Sequence, residues 1–397
     1  MNLPTDATTL SRSTRGDRPR PAPPRLNLWK PPPGAAVRVV GAGAYVPPHT
    51  VTSAEIAEAI PGWSAEKIVE KTGIVERRFL WPLDVKRGCG TLTPSDRPPE
   101  ATTATDMGEI ALSRALAMAG LSATAVDLLI VVTCTPDQPR FSHDAMELQR
   151  RLGLRRDAHC FVVDSGCGGS LYVLDMLARM MAEGRATTAA IVGTNLTSSL
   201  LDRDVYTQEG ILGDDGEQVR PYLSAYVFGD GAGALVLRQD PGSPLGIKAS
   251  VAGNEHWDLV RSPGGGTASP SYGPRYKPVD HAFIVNGRLV MSTYLETMRS
   301  CIEGVAEHDG RPLAEVERFY LHQPNDRLLR LLSGMVGLRE GQVATNVARL
   351  GNTSSAGMFI LVAQDLDSGR VTLGSGVPVV LAAIGAGVHY GAQLVCL

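Results

Sequence analysis

Apolar and polar positions follow two periods along this chain, and the pattern comes round twice. Cys160 to Val163, Ala189 to Val192 and Val377 to Ala383 are apolar runs of strand length, and Val126 to Thr133 and Val316 to Leu321 are apolar apart from Asp127 and from Glu317-Arg318 near their starts. Runs of this kind predict strands buried on both faces. Between them, apolar residues recur at helical spacing in Met107 to Met118, Asp144 to Leu152, Leu171 to Glu183, Tyr294 to Ala306, Arg327 to Val336 and Met358 to Leu366. Strands alternating with helices predict an α/β protein whose mixed or parallel sheets carry helices on their faces.

The two sets fall in register. In the first, the strand at 126–133 ends in Cys134-Thr135-Pro136-Asp137. A later strand, 160–163, runs into Asp164-Ser165-Gly166-Cys167-Gly168-Gly169-Ser170 and opens a helix that closes at Gly184. In the second, the strand at 316–321 ends in His322-Gln323-Pro324-Asn325, and Gly351-Asn352-Thr353-Ser354 opens a helix closing at Gly369. Cys167 to Gly184 and Asn352 to Gly369 are both intervals of 17 positions. This predicts duplicated halves, residues 37–243 and 244–397, packed about a pseudo-twofold axis. Cys167 and Asn352 then face one another from equivalent helix N-termini, the two helices form a shared central layer, and His322 comes from a strand end nearby. Residues 1–36, rich in Pro, Arg, Thr and Ser and without the apolar core of a signal peptide, are expected as a disordered tail.

Composition removes several function classes. A net charge of −3 over 397 residues argues against a nucleic-acid surface. No apolar stretch approaches the ~20 residues needed to cross a membrane. The six cysteines, Cys89, Cys134, Cys160, Cys167, Cys301 and Cys396, are scattered without a CxxC pair. That spacing makes neither a metal site nor a disulfide framework and suits a reducing cytoplasm.

The chemistry gathers at Cys167. A thiol between a strand end and a helix start lies against unpaired N–H groups and the positive end of the helix dipole, both of which favour thiolate. The flanking glycines let a substrate carbonyl approach the backbone. Taken singly, His322 suits a core histidine and Asn352 a helix cap. Converging with Cys167, they make a kit for acyl chemistry in which the thiolate attacks an acyl thioester and holds the acyl group. His322 and Asn352 then either donate to a thioester enolate as CO2 leaves, or His322 acts as a base for an incoming acceptor. The Cys167 N–H and the turn Gly385-Ala386-Gly387 are candidate oxyanion donors.

Over residues 37 to 397 the chain resembles the thiolase superfamily, and within it the 3-oxoacyl-[acyl-carrier-protein] synthase III branch. The motifs are Val40-Gly41-Ala42-Gly43-Ala44-Tyr45-Val46-Pro47, Lys71-Thr72-Gly73-Ile74-Val75-Glu76-Arg77-Arg78, Phe228-Gly229-Asp230-Gly231-Ala232-Gly233-Ala234, His322-Gln323-Pro324-Asn325-Asp326-Arg327 and Gly351-Asn352-Thr353-Ser354. The resemblance implies the thiolase fold, a layered α-β-α-β-α core. It implies Cys167 as acyl carrier, His322 and Asn352 supporting decarboxylation, and Gly387 as second oxyanion donor. It also implies a homodimer joined through the core sheets, acyl-coenzyme A or acyl-carrier-protein thioesters as substrates, and no permanently bound cofactor.

The chain departs from this pattern in places. Lys67 stands where the family presents a tryptophan that stacks on the coenzyme A adenine, and Lys71 replaces an arginine; this favours a carrier-protein donor. Asn325 and Arg327 are kept as substrate-binding candidates. Val388 replaces a phenylalanine near the tunnel mouth, and Leu350 replaces a histidine. Extra residues at 81–105, 200–221 and 262–280 are expected either to border the acyl tunnel or to be solvated decoration. Gly41-Ala42-Gly43 reads as a tight turn, Gly229 to Gly233 as close backbone packing and Asp214 to Glu217 as an acidic turn. Lys67, Lys71, Arg77 and Arg78 read as a basic rim for an acidic carrier or as a solvated face. The expected function is decarboxylative condensation of a Cys167-bound acyl group with a malonyl-type thioester, in specialised polyketide or fatty-acyl assembly. The alternatives are an acyltransferase on the same scaffold and a non-catalytic partner subunit.

Overall fold

The apolar runs pair into two five-stranded sheets, one drawn mainly from each half. The computed structural model describes residues 25–212, 218–257, 259–267, 269–273 and 277–397; most of the expected tail and the 214–217 turn lie outside them. The strands are β1 (Leu28–Trp29), β2 (Val37–Tyr45), β3 (Leu128–Thr133), β4 (His159–Asp164), β5 (Thr188–Asn195), β6 (Gly231–Gln239), β7 (Gly246–Trp257), β8 (Arg318–Leu321), β9 (Pro378–Gly385) and β10 (Gly387–Cys396). Their orders are β2-β6-β5-β3-β4 and β1-β7-β10-β9-β8. β3 runs parallel to β4 and β5, β8 runs parallel to β9, and the other pairs in these sheets are antiparallel. The order β2-β6-β5-β3 is thus repeated by β7-β10-β9-β8, with the same directions.

Six helices complete the layers: α1 (Ala104–Ala119), α2 (Asp144–Leu152), α3 (Gly169–Ala182), α4 (Gly287–Asp309), α5 (Asp326–Val336) and α6 (Gly357–Asp367). The apolar faces of α3 and α6 meet both sheets in one core, where Leu174 and Phe359 join Ile130, Leu235, Val379 and Leu381. Outside the first sheet lie α1 and α2, and outside the second α4 and α5. The result is the α-β-α-β-α sandwich of the thiolase fold. Local signals set several ends. Thr103 and Asp106 form a capping box before α1, Asn325 caps α5, and Gly120, Gly153, Gly310 and Gly337 stop helices in the left-handed region.

Four expectations change. Residues 25–36 are not free chain, because β1 pairs Leu28 with Val251 and Trp29 with Ser250. The run at 160–163 is a strand but not a fully buried one: β4 is the edge of its sheet, and Phe161 is 39 % exposed. Gly41 and Gly43 lie inside β2 rather than in a turn; a Cβ on either would overlap backbone oxygens of α1, at Ala115 and Ala111. The insertions are not solvated decoration. Leu201, Tyr206, Val219 and Val279 share an apolar cluster with Ile56, Ile60, Ile68 and Tyr226. Arg203 ties two of the insertions together, donating to the carbonyls of Ala59 (2.6 Å), Val85 (2.7 Å) and Lys86 (2.9 Å). The Asp230 carboxylate joins the same region to β6, accepting from the N–H of Leu80 (2.8 Å), the N–H of Ser198 (3.0 Å) and the Ser198 hydroxyl.

Candidate active site

Three element ends meet where the two halves face each other. Cys167 stands between β4 and α3, in a loop held tight because neighbouring backbone lies directly against it. A Cβ on Gly168 would overlap the His389 carbonyl, and one on Gly385 would overlap Gly168 N and come within 2.8 Å of Cys167 N. Asn352 precedes α6. Its N–H donates to Val227 O (2.7 Å), and its own carbonyl accepts from Gly229 N (3.1 Å). Its side-chain Oδ1 accepts from Ser354 N–H at 2.9 Å, which fixes the amide with its atoms 4.0 Å from Cys167 Sγ. His322 follows β8, its N–H donating to Ala382 O on β9 (2.8 Å). Gln323 braces the next residue by accepting from Asn346 and Val347 N–H, both at 3.0 Å.

Cys167, His322 and Asn352 line one cavity of about 370 Å³. His322 and Asn352 are buried and Cys167 half-buried, whereas Met291, Arg327 and Leu331 on the same lining are exposed. Its walls are mainly apolar, with Val227, Phe228, Leu259, Val290 and Ile384 among them. Gly385 and Ala386 also line it, and Gly387 follows at the start of β10. Among the described residues, no group of three or more His, Cys, Asp or Glu is placed to hold a metal ion. No helix among them is long and apolar enough to cross a membrane.

Two separate segments match family models: residues 161–255 match 3-oxoacyl-[acyl-carrier-protein (ACP)] synthase III, and 306–397 match its C-terminal part. The chain is 30% identical over 360 residues to beta-ketoacyl-[acyl-carrier-protein] synthase III 3 of Streptomyces coelicolor, covering 89% of this chain and 95% of that one. The chain belongs to this family. It is also 28% identical over 362 residues to the beta-ketoacyl-[acyl-carrier-protein] synthase III of Rhodospirillum centenum, covering 90% and 98% of the two chains. The crystal structure of 3-oxoacyl-(acyl carrier protein) synthase III from Pseudomonas aeruginosa superposes with a TM-score of 0.71 at 25% identity, over 91% of this chain and 98% of that one. OleA of Xanthomonas campestris shares the fold, with a TM-score of 0.71 at 20% identity over 91% of this chain and 98% of that one.

Electrostatics at the site follow burial. The Cys167 thiol is pushed up by desolvation, against which hydrogen bonds to Ser354 and Asn352 pull it down. Burial outweighs them, so the thiol is held above its ordinary value. Burial also lowers the His322 imidazole to about 3, which keeps the ring neutral.

The other site candidates scatter. Lys71 and Arg327 line the cavity, Lys71 while paired to Glu70 at 2.7 Å. Asn325 lines it too, although its Oδ1 is used in accepting from Leu328 N–H at 2.9 Å. Lys67 is not a lining residue; its Nζ sits 5.2 Å from the centre of the Trp63 ring, and Trp63 itself lines the cavity. Val388 is 1 % exposed within the core beside β8 to β10 and is not part of the lining. Arg77 is neither rim nor solvated face. It is fully buried, donates to Tyr226 O (2.6 Å) and Ser53 Oγ (3.2 Å), and is lowered to about 10 by desolvation. None of the described residues of the insertions lines the cavity; residues just beyond them do, namely Leu223, Leu259, Val260 and Val285.

Two lining residues gave no signal in the sequence. Trp63 lies four residues before Lys67, just ahead of the Ser64 that caps the helix carrying Lys67. Tyr294, on α4, donates its hydroxyl to the His322 carbonyl at 2.7 Å, a contact between two elements of the second half that no motif announces.

Proposed function

We propose that this protein is a condensing enzyme that loads an acyl group on Cys167 and joins it to a malonyl-type thioester with loss of CO2. The observation that carries the reading is the convergence of Cys167, His322 and Asn352 on one cavity whose lining reaches exposed residues. In the first step Cys167 sulfur forms a bond to the acyl carbonyl carbon, and the bond to the donor thiol breaks. Backbone N–H groups at Cys167 and Gly387 hold the oxyanion. In the second step the malonyl carboxylate leaves as CO2 and its electrons form a thioester enolate. A neutral His322 and the Asn352 amide donate to the enolate oxygen, and a neutral imidazole keeps one N–H for this purpose. The enolate carbon then attacks the acyl carbonyl, expelling the Cys167 thiolate and leaving a 3-oxoacyl thioester.

Trp63, Lys71 and Arg327 at the mouth favour a donor with a nucleotide-phosphate handle, an aromatic face beside two cations. Coenzyme A thioesters therefore stand beside carrier-protein thioesters as substrates, and the missing tryptophan at position 67 does not weigh against them. The apolar walls suit an aliphatic or aromatic acyl chain in a specialised assembly route. The chain acts as a homodimer through the free edge of β4, where Phe161 is exposed.

The test is intact-protein mass spectrometry of acyl-loaded enzyme chased separately with malonyl-carrier protein, an alcohol and an amine. Loss of the acyl mass with the malonyl donor, together with a carrier-bound 3-oxo product, is the expected result. Loss to the alcohol or amine without CO2 release makes the protein an acyltransferase instead.

A further inference from the structure

One hydroxyl touches the proposed nucleophile. Ser354 Oγ lies 3.5 Å from Cys167 Sγ and 3.9 Å from Cys134 Sγ. Ser354 is buried and holds a φ of +49°, in the left-handed region that costs a serine energy. Its neighbours hold it there. Its N–H donates to Asn352 Oδ1, Ser170 Oγ donates to Ser355 O at 2.6 Å, and Ser355 Oγ lies 2.9 Å from Val132 O and 3.0 Å from Thr194 O. Backbone strain maintained by this many bonds, with the side chain aimed at a reacting sulfur, asks for a function.

We propose that Ser354 is a catalytic residue whose hydroxyl donates to the Cys167 thiolate, while the Cys134 thiol donates in turn to Ser354. The inference rests on Cys167 being the acyl carrier. A serine hydroxyl has one proton and two lone pairs. Cys134 is pushed up to about 12, chiefly by burial, so it stays S–H and has a proton to donate. With that proton on a Ser354 lone pair, the serine's own proton is directed to Cys167. The other titratable groups around the nucleophile are His322 across the cavity, Asp164 at the end of β4, and His389 on β10, whose Nδ1 is 3.1 Å from Ser165 Oγ and 3.2 Å from Ala386 O.

The arrangement matters because burial opposes ionisation of Cys167, and a hydrogen bond to the anion offsets it. On loading, Cys167 gives up its proton, its sulfur bonds to the acyl carbon, and the departing thiolate takes up a proton from solvent, so the exchange is neutral. As a thioester the sulfur is a poor acceptor. The Ser354 bond is therefore made when Cys167 is an anion, before attack and again when condensation expels it.

The test is the rate of iodoacetamide alkylation against pH in the full chain, with the modified cysteine located by peptide mass mapping. Glycine adopts a positive φ freely, so Ser354→Gly removes the hydroxyl and keeps the N–H that orients Asn352. Ser354→Gly and Ser354→Ala are both expected to raise the midpoint for Cys167 by about one pH unit and to slow alkylation at pH 7 about tenfold. Cys134→Ala is expected to move the midpoint less, in the same direction, and Cys134→Ser, which keeps a donor, to leave it in place. A midpoint unchanged in Ser354→Gly overturns the proposal, including when Ser354→Ala alone shifts, since that shift belongs to the backbone. An unchanged Cys134→Ala overturns the relay from Cys134. Native protein alkylated at a different cysteine overturns the nucleophile reading instead.

Discussion

At Cys167 burial and the hydrogen bonds to sulfur act in opposite directions, and burial is the larger effect. Its chemistry therefore depends on neighbours that donate to sulfur. The roles separate by variant. Cys167→Ala is expected to abolish the acyl adduct seen by intact mass. Asn352→Ala is expected to keep the adduct and lose CO2 release by ~10²-fold or more, the scale of one lost donor to a developing oxyanion; release at the native rate removes Asn352 from the enolate step. His322 makes a prediction about stability. Its folded value of about 3 lies below the unfolded 6.5, so its contribution is complete above pH 6.5 and is lost as pH falls through that value towards 3. Unfolding free energy is expected to drop by about 1.4 kcal/mol per pH unit over this window from this group. His322→Gln is expected to flatten the slope of urea stability between pH 6 and pH 4. An unchanged slope means the imidazole ionises in the folded protein.

Elements are set by contacts that leave no room for a methyl group. β2 lies so close on α1 that Gly41 is a packing requirement. Gly41→Ala is expected to cost about 1–3 kcal/mol in urea melts through the forced separation of strand and helix, while alkylation of Cys167 stays near the native rate. Gly168→Ala tests the same physics at the site, where the His389 carbonyl occupies the methyl position. Its expected outcome is loss of loading, because the Cys167 N–H must move with the loop; native loading rates exclude that backbone from the oxyanion hole. Helix and strand positions were legible from periodicity alone, the helix at Asp144–Leu152 to the residue, because side-chain spacing is a local property. The glycines of β2 were misread for the same reason: a strand glycine and a turn glycine look alike until the element stacked on them is known.

For the whole molecule, the internal repeat has a clear asymmetry. β3 and β8 are equivalent, yet β3 has a full further strand, β4, where β8 has only a single parallel bridge from Phe319 to Val343, and β4 ends its sheet with Phe161 exposed. An edge with apolar side chains pairs with something or is a liability. Phe161→Asp is expected to lower the dimer fraction at micromolar concentration, read by sedimentation velocity; a monomeric native protein removes the dimer altogether. The insertions act at this scale too, their described residues closing a separate apolar cluster.

The pattern of the chain by itself determined the α/β class, the duplicated order of elements and the three side chains now found on one cavity, since periodicity and equal spacing are carried by neighbouring residues. Only the tertiary structure decided which strand is an edge, that Arg77 is buried, that Trp63 rather than Lys67 lines the mouth, and that Ser354 touches a sulfur 187 positions away. These depend on what packs against a residue from the other half. Desolvation, which sets the protonation of Cys167 and His322, is a sum over those distant atoms and has no local signature.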